Sequence, residues 1–305
     1  MANAASASSG LSGVSYDLKD LLGLKGASDL LRLSSRSTSR SIVAGQHYSK
    51  IRGRGMTFAE SRPYQPGDDV RQIDWRVTAR TGHTHTKVFE EEKERPVFLI
   101  MDFNHTMFFG SRHAFKHVVA AEAAALIGWA CVARGDHIGS LLITPRSHEE
   151  LKPSGGRRGL MRLFHALLKA QEHRHEEEEV SLNDAFGRVI KVARPGSLMV
   201  VFSDFYHLSE ETEQQLVKLR QHNDVVLCQV MDPLETQAPP PGVYPISDGK
   251  SFSVLNLMGA SAPRLDSELD DRQKRVQQLA MKHQLAYGKL LTDQPVINQL
   301  NALWQ

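Results

Sequence analysis

From Arg95 onward the chain alternates short apolar runs with longer segments whose apolar residues recur every three or four positions. This rhythm predicts strands separated by crossover helices around a mainly parallel, doubly wound sheet. The runs are Val97–Asp102, Ile138–Thr144, Leu198–Asp204 and Val225–Asp232, and the helical segments are Ala114–Arg134, Arg157–Gln171, Ser181–Ala193 and Glu210–His222. Within Phe115–Val132 nearly every face is apolar, including Val118, Val119, Leu126, Ile127 and Trp129, which predicts a helix enclosed against the sheet. Past Asp232 and Pro239-Pro240-Pro241, the stretches Val243–Ser247 and Ser251–Leu257 flank Asp248-Gly249 and read as a hairpin at the sheet margin. Ser267–Tyr287 then reads as a helix, Lys289–Thr292 as a short strand, and Val296 opens a last helix.

The other end of the chain has a different texture. Residues 1–13 are small and polar and read as a loose tail, while Tyr16–Leu33 spaces its leucines for one or two short helices. Gly45, Gly53, Gly55, Pro63, Pro66, Gly67 and Gly82 break the stretch Ser34–Thr86 into strands, turns and ordered loops. The expected organisation is therefore a mobile tail with short helices over 1–33 and a smaller β-rich, Arg/Gly/Asp-containing subdomain over 34–94. An α/β domain follows over 95–260, and a helical extension over 261–305 packs on it.

Composition narrows the classes. With 305 residues, 41% of them hydrophobic and 24% charged, a wholly disordered chain is excluded, and a net charge of +2 gives no reason for a polyanionic partner of the whole molecule. The positive charge is local: between Arg32 and Lys87 stand 11 basic residues against 4 acidic ones. No window carries the roughly 18 to 20 uninterrupted apolar residues of a spanning helix, and the start lacks a cationic head and apolar run, so a soluble, cytoplasmic protein is expected. Cys131 and Cys228 sit in separate apolar runs and read as buried free thiols of a reducing compartment. His83 and His85 would share one strand face, but with no third ligand nearby they read as surface or hydrogen-bonded histidines; Glu176–Glu179 reads as a solvated loop.

Candidate chemistry gathers at the strand ends. Asp102, Asp204 and Asp232 each terminate an apolar run, and the carboxyl edge of a parallel sheet is where such folds bind ligands. Asn104 and Thr106 follow Asp102, and Ser203 precedes Asp204, an oxygen-rich set that suits a hard cation such as Mg2+. The same aspartates could equally cap helix N-termini and satisfy loop amides. A second block, Arg52 to Arg76, mixes arginines, acids and aromatics, and reads as an internal salt-bridge and stacking network ahead of a binding surface.

Specific words in the chain carry a resemblance. They are Arg52-Gly-Arg-Gly, Arg62-Pro-Tyr-Gln-Pro-Gly-Asp-Asp-Val-Arg71, Ile73-Asp-Trp-Arg76 with Thr78-Ala-Arg80, Phe89-Glu-Glu, Gly135-Asp136-His-Ile-Gly139 and Asp232-Pro-Leu-Glu235. Over roughly residues 40 to 260 the sequence resembles the bacterial proteins containing domain of unknown function 58, whose later part is similar to a von Willebrand factor A domain. The resemblance implies a protein–protein interaction module rather than an enzyme, partnered by a MoxR-type AAA+ ATPase in chaperone-like assembly or stress response. It also implies a metal-ion-dependent adhesion site, which by position would fall on Asp102, Asn104, Thr106, Ser181 and Asp204. Asn104 replaces the first serine of that motif, and Val180 stands at the threonine position with Ser181 adjacent, so the site is a degenerate one. The partner-binding residues expected at the carboxyl edge are Asp102, His105, Ser203, Asp204 and Asp232.

Two other classes compete. Asp102-Phe-Asn-His-Thr106 is similar to the nucleophile loop of haloacid-dehalogenase-type magnesium phosphatases, but Asn104 cannot exchange the proton that such chemistry asks of a second carboxylate. Nucleic-acid binding through the basic N-terminal third would use Tyr64 and Trp75 for stacking, against repulsion from Glu60, Asp68, Asp69 and Asp74. A triad from Ser203, a histidine and Asp232 lacks the Gly-x-Ser-x-Gly elbow that exposes a nucleophile.

Overall fold

Asp17 and Asp20 open the first helix reciprocally, each carboxylate accepting the other's backbone N–H at 2.9 and 2.8 Å, a capping box that satisfies two donors a helix start leaves over. Helices α1 (Leu18–Gly23) and α2 (Lys25–Ser28) follow. The computed structural model describes residues 11–32, 56–91, 96–173, 182–193, 195–236, 239–247, 252–258 and 261–304. They fall into two units, one between residues 38 and 94 and the other holding the rest.

In the smaller unit, β1 (Met56–Pro63) and β2 (His85–Glu91) pair antiparallel around α3 (Trp75–Thr81). The sequence reading expected no helix here. Asp74 supplies one by accepting the Arg76 and Val77 N–H groups, and Gly82, at a φ of 73° that favours glycine, ends it. Part of the arginine-and-acid block is internally paired: Arg62 meets Asp68 at 2.8 Å, and Ser61 donates to Asp74 at 2.9 Å. Trp75, by contrast, is 70% exposed. Arg52 and Arg54 lie outside the described residues.

The larger unit continues with β3 (Val97–Asp102), α4 (Lys116–Arg134), β4 (His137–Ile143), β5 (His148–Gly155), α5 (Gly156–Ala170), α6 (Leu182–Val192), β6 (Leu198–Ser203), α7 (Glu210–His222), β7 (Asp224–Met231) and α8 (Pro233–Thr236). After these come β8 (Val243–Ser247), β9 (Phe252–Asn256), α9 (Ser261–Lys282), β10 (Ala286–Leu291) and α10 (Val296–Leu303). Six strands form one sheet in the order β10-β7-β6-β3-β4-β5, parallel except for the β4–β5 pair. Strand β3 shows why its neighbours read as unbroken apolar runs: Val97, Leu99 and Met101 enter a core with α4 and α5, while Phe98 and Ile100 enter a second core with α6, α7 and α9. α4 is long and apolar enough to cross a membrane, yet it lies buried in the first core.

Three expectations change. β5 was not anticipated, because an edge strand needs no apolar run; it is polar, half-buried along most of its length, and carries Pro153. β8 and β9 form a two-stranded sheet of their own rather than a margin of the main one. The short strand expected at Lys289–Thr292 is longer and begins earlier: β10 takes in Ala286–Leu291, where the end of a helix was expected, pairs parallel with β7 and supplies the sixth strand.

Candidate functional site

The order of the sheet reverses between β3 and β6, since β4 follows on one side of β3 and β6 lies on the other. The two strands run in parallel register, with Met101 opposite Phe202, so their next residues emerge side by side. Ser203 Oγ donates to Asp102 Oδ2 at 2.6 Å and accepts the Phe205 N–H at 2.9 Å, while the Asn104 N–H donates to Asp102 Oδ1 at 3.0 Å. Phe205, a bulky non-glycine, is held at a φ of 54°, in the left-handed region, and its ring is buried in the second core. This backbone turn lets the loop fold back over the strand end.

Beside this pair, Asp204 takes the ammonium of Lys116 at 2.7 Å and the Tyr206 N–H at 3.0 Å. The Thr106 hydroxyl also bonds Asp204. Lys116 reaches Glu235 as well, at 2.8 Å, and Glu235 is shared with Arg272 of α9 at 3.1 Å. Arg272 in turn lies over the Tyr206 ring, 5.2 Å from its centroid. Lys116 is only 1% exposed, so its charge depends on these carboxylates rather than on water.

Asp232 extends the same network and presents nothing to solvent. It is 0% exposed and accepts from the Ser111 hydroxyl and N–H, the Leu234 N–H at 3.0 Å and the Thr292 hydroxyl at 2.8 Å. Its own N–H donates to Glu235 Oε2 at 2.9 Å, so the Asp232-Pro-Leu-Glu235 word closes on itself at the start of α8. One bonded chain thus runs from Asp232 through Glu235 and Lys116 to Asp204.

Electrostatics separate the two neighbouring aspartates. Burial, and then the charge of Asp204, raise Asp102 to about 6 against the pull of Ser203, Asn104 and Lys116. Burial also works against ionisation of Asp204, but the Lys116 charge and hydrogen bond, with those of Tyr206 and Thr106, hold it below the usual carboxylate range. Burial disfavours the Lys116 ammonium; Asp204 and Glu235 outweigh it and keep the group firmly protonated.

The structure brings together Asp102, Thr106, Ser203 and Asp204, and links Asp232 to them through Glu235 and Lys116. The direct partner contacts expected of Asp102, Ser203, Asp204 and Asp232 need correction: all four side chains are buried and engaged within the fold, whereas His105 stands exposed. Ser181 lies outside the described residues. Lys116 and Arg272 were not singled out by sequence reasoning, and Glu235 entered only as the last residue of a matching word. The available signal was a lysine on the first residue of an apolar helix, where the helix's positive end disfavours a cation.

A hard divalent cation needs several oxygen ligands turned to one point. Here the oxygens of Asp102 are engaged by Ser203 and Asn104, and those of Asp204 by Lys116, Thr106 and Tyr206. Among the described residues no group of three or more His, Cys, Asp or Glu side chains is placed to hold a metal ion. As arranged, this donor set does not fit a Mg2+ site.

An uncharacterized protein of Mycobacterium tuberculosis is 28% identical over 227 residues, covering 73% of this chain and 70% of the relative. Among solved structures, the chain is similar to the conserved hypothetical protein BatB from Bacteroides thetaiotaomicron, with a TM-score of 0.39, 11% identity, and 62% of this chain and 98% of that one covered. It is also similar to a von Willebrand factor type A protein from Catenulispora acidiphila, with a TM-score of 0.36, 8% identity, and 72% of this chain and 44% of that one covered. The family described as "Protein of unknown function DUF58" matches residues 60–277, and the chain belongs to it.

Proposed function

We propose that this chain is a non-catalytic protein-interaction module whose docking face is the carboxyl rim of the larger unit. One observation carries the reading: the sheet's switch point is filled by a buried network of hydrogen bonds and ion pairs, above which Tyr206 is 56% exposed and Phe109 and His105 also meet solvent. A catalytic site leaves a nucleophile or proton carrier open to substrate. Here the strand-end carboxylates are committed to holding loops, and the exposed groups are the aromatic and imidazole side chains that interfaces favour.

The phosphatase alternative gains nothing from this arrangement. Lys116 bonds Asp204 and Glu235 rather than Asp102, and Asp102, the would-be nucleophile, is 3% exposed with both oxygens bonded. Nucleic-acid binding by the smaller unit is the weaker reading, since Arg62 is already paired with Asp68.

Family resemblance supports a MoxR-type AAA+ ATPase as the partner, in chaperone-like assembly or stress response in the cytoplasm. The test is a pull-down of purified AAA+ ATPase by the full chain, with and without ATP, repeated with Tyr206→Ala and Phe109→Ser. Recovery by the native chain and loss in both variants is expected. Absence of recovery under either nucleotide condition, or recovery indifferent to both substitutions, would overturn the assignment of partner or face respectively.

A further inference from the structure

Around Lys116 the rim gathers three of its carboxylates, Asp102, Asp204 and Glu235, from beyond the ends of β3, β6 and β7. Three negative groups drawn from three strands into a dry corner repel one another unless a cation sits among them. We propose that Lys116 is that cation: its ammonium, tethered by the chain, holds together the β6 and β7 loops, so that the rim assembles with no divalent metal. The proposal concerns how the rim is held and stands whether or not a partner docks there.

Four observations converge. The ammonium is buried and bonded to carboxylates from two different loops, at 2.7 and 2.8 Å. Its backbone is fixed too, because the Lys116 N–H donates to the Phe109 carbonyl at 2.8 Å, anchoring the loop that follows Asp102 to the start of α4. The helix places this lysine at its positive end, where a cation is disfavoured by the dipole, so the local sequence gives the ammonium no reason to turn inward apart from the acids it meets. Finally, the second oxygens of Asp204 and Glu235 accept from the Tyr206 and Asp232 N–H groups, Thr106 also bonds Asp204, and Arg272 shares with Lys116 the other Glu235 oxygen. A divalent ion would have to sit beside the bound ammonium, placing like charges together, or displace it, leaving a tethered buried ammonium without its carboxylates. Arg272 completes the arrangement by carrying the same network out to the exposed Tyr206 ring.

The test uses the full chain, stripped with EDTA and dialysed. Isothermal calorimetry with Mg2+ and Mn2+, Mn2+ electron paramagnetic resonance and thermal melts with each ion or with EDTA form the first arm. The expected result is no saturable heat, no bound-Mn2+ signal and an unchanged melting temperature. Uptake of one equivalent of Mn2+ or Mg2+ that disappears in Asp204→Asn would overturn the proposal. The second arm compares Lys116→Met, which keeps the length and removes the charge, with Lys116→Arg, which keeps a charge. A large fall in melting temperature for Met that Arg partly restores is expected, and a Lys116→Met protein as stable as the native one would overturn the assignment. Should the Met variant not accumulate in folded form, the metal titration of the native chain decides.

Discussion

The carboxyl rim and the β8–β9 hairpin invert the usual division between inside and outside. At the rim, Asp102, Lys116, Asp204 and Asp232 are buried; on the hairpin, Phe252 is 86% exposed and Val243, Ile246 and Val254 face solvent with it. A buried charge is tolerable when an opposite charge meets it, and at the rim Lys116 and Asp204 meet that condition beside strand ends that arrive in register. The hairpin is a lone two-stranded sheet, too thin to enclose either of its faces, and Leu257 just beyond it is buried. Residue polarity alone therefore misplaces both regions; what decides burial is whether neighbouring elements supply partners or cover.

The comparison breaks most readily at Lys116. Lys116→Met leaves Asp204 and Glu235 without their ammonium and is expected to lower unfolding free energy by about 3–5 kcal/mol in urea titrations, the range for orphaning a buried charge. A loss under about 1 kcal/mol would mean that the network is dispensable.

Glu122, on the same helix, sharpens the contrast, being a buried carboxyl that accepts the Leu11 N–H at 2.8 Å and that no salt bridge reaches among the described residues. Burial raises it from 4.5 to about 7. Below pH 4.5 it is protonated in both states and carries no penalty; as pH rises towards 7 the unfolded chain ionises first and the native state loses relative stability. Glu122→Gln should therefore stabilise at neutral pH by up to about 3 kcal/mol, with the gain fading on acidification, as read from urea titrations across that range. A gain that did not vary with pH would show that the carboxyl ionises normally.

Ser203→Ala comes next. It removes one donor to Asp102 and the acceptor for the Phe205 N–H, and a loss of about 1–3 kcal/mol is expected by the same measurement. Smallest is Phe252→Ser on the hairpin, where stability should move by no more than about 0.5 kcal/mol because the ring covers nothing within the chain. A loss matching that of Ser203→Ala would erase the distinction between the two regions.

The sheet's central strands were legible because burial on both faces makes β3, β6 and β7 continuous apolar words, and their helices follow the period of the cores they cover. The edge strands were harder: β5 reads as a polar loop, and β10 was seen only in part, since partial solvation lets Tyr287 and Lys289 stand among its apolar residues. At the rim, position along the chain announced the aspartates, because each closes an apolar run. Their partners carried no such mark. Ser111 and Thr292 lie 121 and 60 positions from Asp232, and Lys116 lies 88 from Asp204, so only the folded topology brings them together.

The position of β10 has a consequence for synthesis. Until residue 291 leaves the ribosome, β7 is an open sheet edge, and Asp232 lacks the Thr292 hydroxyl that later fills one of its acceptor positions. The nascent polypeptide therefore carries a sticky, half-built rim through the interval in which α8, the β8–β9 hairpin and α9 are translated, and docking of the last parallel strand ends that vulnerable period in a single step.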